Sequence, residues 1–332
     1  MSDDTLWNER LDEFRALGGV ANNVRLGEGA FGRGLFPIDP KHPVDIFIPR
    51  YLLIPLENIV FERDELQVAG SSAASPRIRT FIERYEREFS WGPGRAETER
   101  FLHMMNELPE SLKEFLATQL SLRAFFQPIS PPVVQKWFFS TRVIRSFGRD
   151  VIMPIVELAN HGGAARYDSL KGVSLNGTFD GEVLVRYSEP ADPYEMFASW
   201  MFAPREDTAF SLPMRGEFGG KQFIIRREFN NEKMPFVPKV VVEDDRILVS
   251  HLLLGHKQFP RVPKGAFRKA MESAQLSDID EAFDVILMLN RQRFLDLLAA
   301  LDGLELPAVP MLRRLAVNQL AALSYQFGVR TL

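Results

Sequence analysis

Between Val151 and Gly163 the chain reads V-I-M-P-I-V-E-L-A-N-H-G-G, so residues 157–161 hold a carboxylate (Glu157), a carboxamide (Asn160) and an imidazole (His161). The apolar lead-in is what a short buried strand shows, and Gly162-Gly163 ends it. A carboxylate only accepts hydrogen bonds, whereas a carboxamide and a neutral imidazole both donate and accept. Two uses fit this set. The polar side chains satisfy their own backbone at the end of an element, or they line a site where side chains and backbone hold a small molecule. A metal role for His161 is not expected, because no second ligand lies at a metal-like spacing nearby. His251 and His256 have no carboxylate or thiolate set beside them and read as structural.

A second stretch, Gly27-Glu28-Gly29-Ala30-Phe31-Gly32, matches G-x-G-x-x-G. A dinucleotide-binding loop of this form must open a helix, yet Pro37 and Pro40 follow. A kinase glycine loop needs V-A-I-K, H-R-D and D-F-G stretches downstream, and the sequence has none. What stays open is a flexible turn, or a loop that wraps a ligand with its backbone through Gly32, Arg33 and Gly34. Glycine suits the latter because a Cβ would hold the backbone off the ligand.

These segments together resemble SET-domain proteins, in the branch of the Rubisco large-subunit methyltransferase. P-I-V-E-L-A-N-H-G resembles that branch's P-x-x-D-x-x-N-H-S segment, and Gly32 to Phe36 its G-x-G-L loop. Ile48 to Ile54 resembles I-P-x-x-L-L-I, and Trp137 to Phe147 the W-A-x-x-x-x-x-S-R-A-F segment. The resemblance covers roughly residues 25–215. It implies an α+β fold, a strand-rich SET core split by a helical insertion and followed by a mainly helical C-terminal domain. The expected boundaries are 20–60 and 136–216 for the core halves, 61–135 for the insertion and 217–332 for the C-terminal domain.

The activity implied is methyl transfer from S-adenosylmethionine to a protein side chain, most simply lysine, on a protein docked against the C-terminal domain. The resemblance assigns the cofactor to Gly32, Arg33, Gly34, Arg145, Glu157, Asn160 and His161, with Arg145 on its carboxylate. A guanidinium fork suits a carboxylate; the other reading of Arg145 is a surface arginine on a helix. Glu157 stands where the family has Asp. The family's S-Y-G tyrosine falls on Ser199-Trp200-Met201 in this reading, so Trp200 takes its place, and its L-L-x-Y-G-F tyrosine is missing near Ser211 to Met214. Tyr167 is a weaker correspondence, and Tyr187 and Tyr194 flank the region. Indole has one N–H and no hydroxyl, so Trp200 also admits a second reading: a non-catalytic protein-binding module, with or without the cofactor.

Composition sets the frame. The 332 residues exceed what a single core usually fills, which favours two domains. A net charge of −4 offers no basic field for nucleic acid or an anionic membrane. With no cysteine, disulfides and thiolate metal sites are excluded. The acidic start M-S-D-D-T-L-W-N-E-R lacks the features of a signal peptide, and no apolar run approaches the roughly 18 residues of a membrane span. A cytoplasmic protein is expected.

The elements that must position the site follow from periodicity. A helix is expected over 4–17, ended by Gly18-Gly19, and two short strands over Val24 to Phe36. Helices are expected over Arg77 to Ser90, Glu97 to Leu108, Ser111 to Phe126 and Pro131 to Phe147, the last with Ser130 as N-cap. Gly172 to Tyr187 and Met196 to Phe202 read as strands. Gly216-Glu217-Phe218-Gly219-Gly220 reads as a boundary, followed by a largely helical tail. In that tail Ser277-Asp278 would open a helix with Phe283, Leu287, Phe294, Leu297 and Leu301 on one face and Asn290 as the polar exception. A final helix, Pro310 to Phe327, would stop at Gly328.

Overall fold

The computed structural model describes residues 3–188, 191–218, 220–227, 236–272 and 279–327. Gly219, Ser277, Asp278 and Gly328, to which the sequence reading gave parts, lie outside these. The fold is α+β with a helical C-terminal region, and the chain condenses into two units. One joins 1–100 to 129–189; the other joins 101–128 to 190–332.

In the first unit the helix Asp3–Ala16 ends at Gly18, whose φ of +89° favours glycine. Val24–Gly29 and Gly32–Pro37 form an antiparallel hairpin. Val44–Pro49 is the centre of a three-stranded sheet between Val20–Asn22 and Gly172–Gly177. A further hairpin, Ile59–Glu62 with Glu65–Val68, occupies the start of the stretch expected to be helical. The helix Pro76–Phe89 begins at Ser75, whose hydroxyl accepts from the Ile78 N–H, with Pro76 at the first helical position. Its expected stripe, Ile78, Phe81, Ile82, Tyr85 and Phe89, is buried throughout. Aromatic rings fill this core: Trp7 against Phe89 at 5.2 Å, Phe14 against Phe81 at 6.0 Å, and Trp91 against Phe138 at 5.0 Å.

The helix expected over Pro131 to Phe147 stops at Ser140, and the chain turns into a hairpin, Val143–Ser146 with Arg149–Ile152. Val143 and Ile144 are β-branched and suit a strand. Asn160–Ala165 then runs parallel to Leu184–Val185, in register Asn160↔Leu184 and His161↔Val185.

The second unit differs from expectation in two places. Pro193–Trp200 is a helix, although Met196 to Phe202 reads as an apolar strand. The local signal is Asp192, which caps the Glu195 N–H at 2.7 Å, followed by Pro193 at the first helical position, with Met201 in the left-handed region ending the helix. The tail is also not helical from Gly220. Met214–Phe218, Lys221–Arg226, Arg246–Ser250 and Lys239–Val242 form a four-stranded sheet before the helices Val262–Met271, Ile279–Ala300 and Val309–Ser324. The polar exception Asn290 is buried and fully used. Its Oδ1 accepts from the Leu212 N–H at 2.8 Å, and its Nδ2 donates to the Ile286 carbonyl at 2.9 Å and to the Ser211 hydroxyl at 3.1 Å.

Asp192 is the polar centre of this unit. Its fully buried carboxylate accepts from the Glu195 N–H, the Phe210 N–H at 2.8 Å, Gln319 Nε2 at 3.0 Å and the Arg227 guanidinium. Arg227 is itself buried and lies over the Tyr194 ring at 4.6 Å. Arg227 also pairs with Glu195 at 3.2 Å, so loss of Asp192 leaves its charge half-paired. Breaking a buried pair costs about 3–5 kcal/mol, and Asp192→Ala is expected to lose up to that much in urea unfolding. Lys264→Ala, which breaks only the partly exposed pair with Asp284, should change stability by less than about 1 kcal/mol.

Candidate functional site

Three separated segments of the first unit meet at Asn160. Its Nδ2 donates to the Arg33 carbonyl at 3.2 Å and to Glu182 Oε1 at 2.5 Å. The Val183 N–H donates to the Leu35 carbonyl at 2.7 Å, which sets residue 182 beside Gly34. A Cβ on Gly34 would lie 2.7 Å from Asn160 Nδ2 and 2.4 Å from Glu182 Oε1; one on Gly29 would lie 2.4 Å from Glu182 Oε2. Gly32 differs: its φ is +88° and its Cβ side is open. Of the three hairpin residues singled out, Gly34 is packed, Gly32 is free, and Arg33 presents its carbonyl while its guanidinium donates to the Phe89 carbonyl at 2.6 Å. That bond completes the C-terminal end of the helix Pro76–Phe89.

The approach to Asn160 is bent. Ile155, fully buried, has φ 70° and ψ −62°, and the Val156 N–H reaches the Pro154 carbonyl at 2.9 Å. This three-residue turn is uncommon and strained, and a β-branched residue makes it more so. It feeds the short turn Val156–Leu158, which carries Glu157 inward three residues ahead of Asn160.

His161 is buried and accepts the Tyr187 N–H on Nδ1 at 3.3 Å, so in its neutral form the proton sits on Nε2. The Tyr187 ring meets the imidazole edge-on at 5.2 Å, and its hydroxyl donates to the Ala159 carbonyl at 2.9 Å. Tyr167 donates to the Val156 carbonyl at 3.4 Å. Burial pushes both phenols above the ordinary tyrosine range, and the nearby Glu157 adds to this. Both therefore stay protonated at neutral pH and act as hydroxyls, not as bases.

Behind them lies a dry acidic cluster. Tyr85 Oη, Glu86 Oε1, Ser90 Oγ and Glu157 Oε1 are buried together, and among the described residues they make no well-formed hydrogen bond, although the Ser90 and Tyr85 hydroxyls lie close enough to act on the carboxyls. Glu86 Oε2 accepts only the Trp91 N–H, at 3.3 Å. Burial raises both carboxyls. For Glu86, the Glu157 charge adds to the rise and the Ser90 hydroxyl opposes it; for Glu157, Arg142 and the Ser90 and Tyr85 hydroxyls oppose it. Arg142 lies over the Phe138 ring at 4.3 Å and donates to the Thr141 hydroxyl at 2.9 Å, and its charge acts on this pair. Arg145 does not join the group: it is exposed on the Val143–Ser146 strand, donates to the Gly148 carbonyl at 3.2 Å and pairs with Asp150 at 3.6 Å. Arg142 lies in the turn between the helix Pro131–Ser140 and this strand, so it is not bound to the strand's alternation. Trp200 ends a helix of the other unit. Arg142, Tyr187, Glu86 and Glu182 were the residues that sequence reasoning passed over or left unassigned. Among the described residues, no group of three or more His, Asp or Glu is set to hold a metal, and no helix is long and apolar enough to cross a membrane.

No family model matches this chain, and no curated protein matches it. Among solved structures, "Structure of Rubisco LSMT bound to AdoMet" aligns over 99% of this chain and 91% of that one, with 13% identity and a TM-score of 0.43. "Crystal structure of the SET domain of LSMT bound to Lysine and AdoHcy" aligns over 98% and 90%, with 12% identity and a TM-score of 0.40.

The raised carboxyls have a defined sign. Above the ordinary glutamate range, near pH 4.3, the folded protein keeps protons that the unfolded chain has released. Stability then falls as pH rises, until the folded groups ionise. Glu86→Gln removes this penalty. It is expected to be more stable than wild type at pH 8, by on the order of 1–2 kcal/mol, with the gap closing towards pH 4. Urea unfolding at the two pH values measures it.

Proposed function

We propose that the protein transfers a methyl group from S-adenosylmethionine to a protein side chain, lysine in the first place, as the resemblance implies. The supporting observation is the clasp itself: Asn160 holding the Arg33 carbonyl beside the open, positive-φ Gly32, with His161 and Tyr187 on adjoining segments. The residues fit such a cofactor. The Gly32 backbone has room beside it, and Asn160 Oδ1 accepts nothing from the described residues. In this reading Gly32, Arg33 and Gly34 act through their backbone, and Asn160 and His161 form the floor. We assign the cofactor's carboxylate to the guanidinium of Arg142, whose charge acts on Glu157, in place of the exposed Arg145.

When bound, the cofactor supplies an electrophilic methyl on a sulfonium. The chain's own part is to deliver a neutral amine in line with it. A free lysine has a pKa of about 10.4, so burial among Tyr167, Tyr187 and His161 must favour the neutral form. The Tyr187 hydroxyl spends its proton on the Ala159 carbonyl, which leaves its lone pairs to accept from the amine N–H. We assign to Tyr187, in Arg186-Tyr187-Ser188, the part that the resemblance gave to the S-Y-G tyrosine, so Trp200 no longer stands for its loss. The protein substrate, cytoplasmic in this proposal, would dock on the C-terminal helices.

Calorimetric titration of S-adenosylmethionine tests the pocket. Asn160→Ala should bind at least about tenfold more weakly than wild type, the loss of one hydrogen bond to a charged group. Tyr187→Phe should keep affinity within about threefold but lower methyl incorporation into a substrate protein by roughly 100-fold, read by mass spectrometry with labelled cofactor. Equal affinity of wild type and Asn160→Ala would sink the assignment. Cofactor binding with no incorporation into any protein would favour the non-catalytic binding module.

A further inference from the structure

We propose that Glu182 is the positioning residue that fixes which end of the Asn160 carboxamide faces the site: it holds the NH2 inward, so that Oδ1 points out as an acceptor for a ligand's primary ammonium. A carboxamide is nearly symmetric in shape, and its two orientations differ only in which atoms meet which neighbours. Here both neighbours of one end are acceptors, the Arg33 carbonyl at 3.2 Å and the Glu182 carboxylate at 2.5 Å. Flipped, Oδ1 would face two oxygens across those distances and lose both bonds. The carboxylate matters more than the carbonyl, because a charged acceptor makes the stronger hydrogen bond.

Gly34 and Gly29 make room for Glu182 here: its two oxygens occupy the places where Cβ atoms at those positions would stand. The Val183 N–H, bound to the Leu35 carbonyl at 2.7 Å, holds the preceding residue in place. The outward face of the pair is then an amide oxygen backed by a negative charge. It attracts a donor, most strongly a cation, and repels a carboxylate or phosphate oxygen. On the cofactor reading above, on which the ligand class rests, this is the ammonium of the methionine end. Adenosine alone gains nothing from it.

Two experiments separate the parts. In ¹⁵N-labelled wild type, the Asn160 side-chain amide protons should exchange at least about tenfold more slowly than those of exposed asparagines, and Glu182→Gln, which puts a neutral acceptor in place of the charged one while the Arg33 carbonyl keeps its hydrogen, should narrow that difference at least about threefold while the backbone spectrum stays folded. Exchange as fast as in exposed asparagines in wild type would overturn the inference, and this arm needs neither a variant nor a ligand. In calorimetry, Glu182→Gln should weaken S-adenosylmethionine and S-adenosylhomocysteine by about tenfold, and 5′-methylthioadenosine, which lacks the ammonium, by less than about threefold. Equal weakening of all three, or none, refutes the ammonium assignment. If wild type binds none of them, the cofactor reading fails, and the exchange measurement still decides the role of Glu182.

Discussion

One amide group carries the first unit's site. Asn160 has two hydrogens on Nδ2, and each goes to a different part of the chain, the hairpin Gly32–Pro37 and the segment that opens with Glu182. Backbone pairing brings the same three segments together independently: Asn160–Ala165 runs parallel to Leu184–Val185, and Val183 bonds Leu35. The amide bonds are short-range and directional, so they set position within this frame to a fraction of an ångström. The ladder alone would allow a slip, and a slip of one residue would turn Asn160 to the opposite face of its strand.

The surroundings explain why this corner is costly to build. Ile155 takes a strained turn, worth about 1–3 kcal/mol, so that Glu157 can point inward while Asn160 stays on the strand. Glu157 and Glu86 then share a volume in which two charges are poorly tolerated. The aromatic core around them, with Phe81, Tyr85, Phe89 and Trp91 all buried, is large enough to absorb such losses, since each fully buried large side chain contributes about 1.5–3 kcal/mol. Poorly paired polar groups in an apolar core are typical of sites where function, not stability, sets the residue.

Much of this was legible in order but not in orientation. The stripe of Pro76–Phe89, the face of Ile279–Ala300 and the hairpin Val24–Pro37 follow from periodicity and turn chemistry, and they stand where expected; Asn160-His161 instead opens a strand that runs through Gly162-Gly163, which were expected to end one. Arg145 was chosen by counting along a motif from Trp137. The helix ends at Ser140 and a strand begins at Val143, and that change of period leaves Arg145 exposed and paired with Asp150. Trp200 was set against a tyrosine by matching Ser199-Trp200-Met201 to S-Y-G; separately, the Asp192-Pro193 cap makes a helix of a segment that reads as an apolar strand. Glu182 follows an Asp-Gly turn and looks like any solvated carboxylate, because its partners are 22 residues away at Asn160 and further still at Gly34 and Gly29. The four-stranded sheet of the second unit was missed because two of its strands, Lys221–Arg226 and Arg246–Ser250, pair in parallel across a long connection, and no local turn announces such a pairing.

The glycines of Gly27 to Gly34 show how one motif can have several causes. Gly32 is required by its backbone angle, which an L side chain adopts only with strain, and it leaves space beside it. Gly29 and Gly34 answer to a neighbour: the Glu182 carboxylate occupies the volume their side chains would fill, and a Cβ there would displace it. Only the first kind leaves room for a ligand. The G-x-G spacing therefore marks two adjoining surfaces of the hairpin, one closed on the chain's own carboxylate and one open, and the amide of Asn160 is the group that borders both.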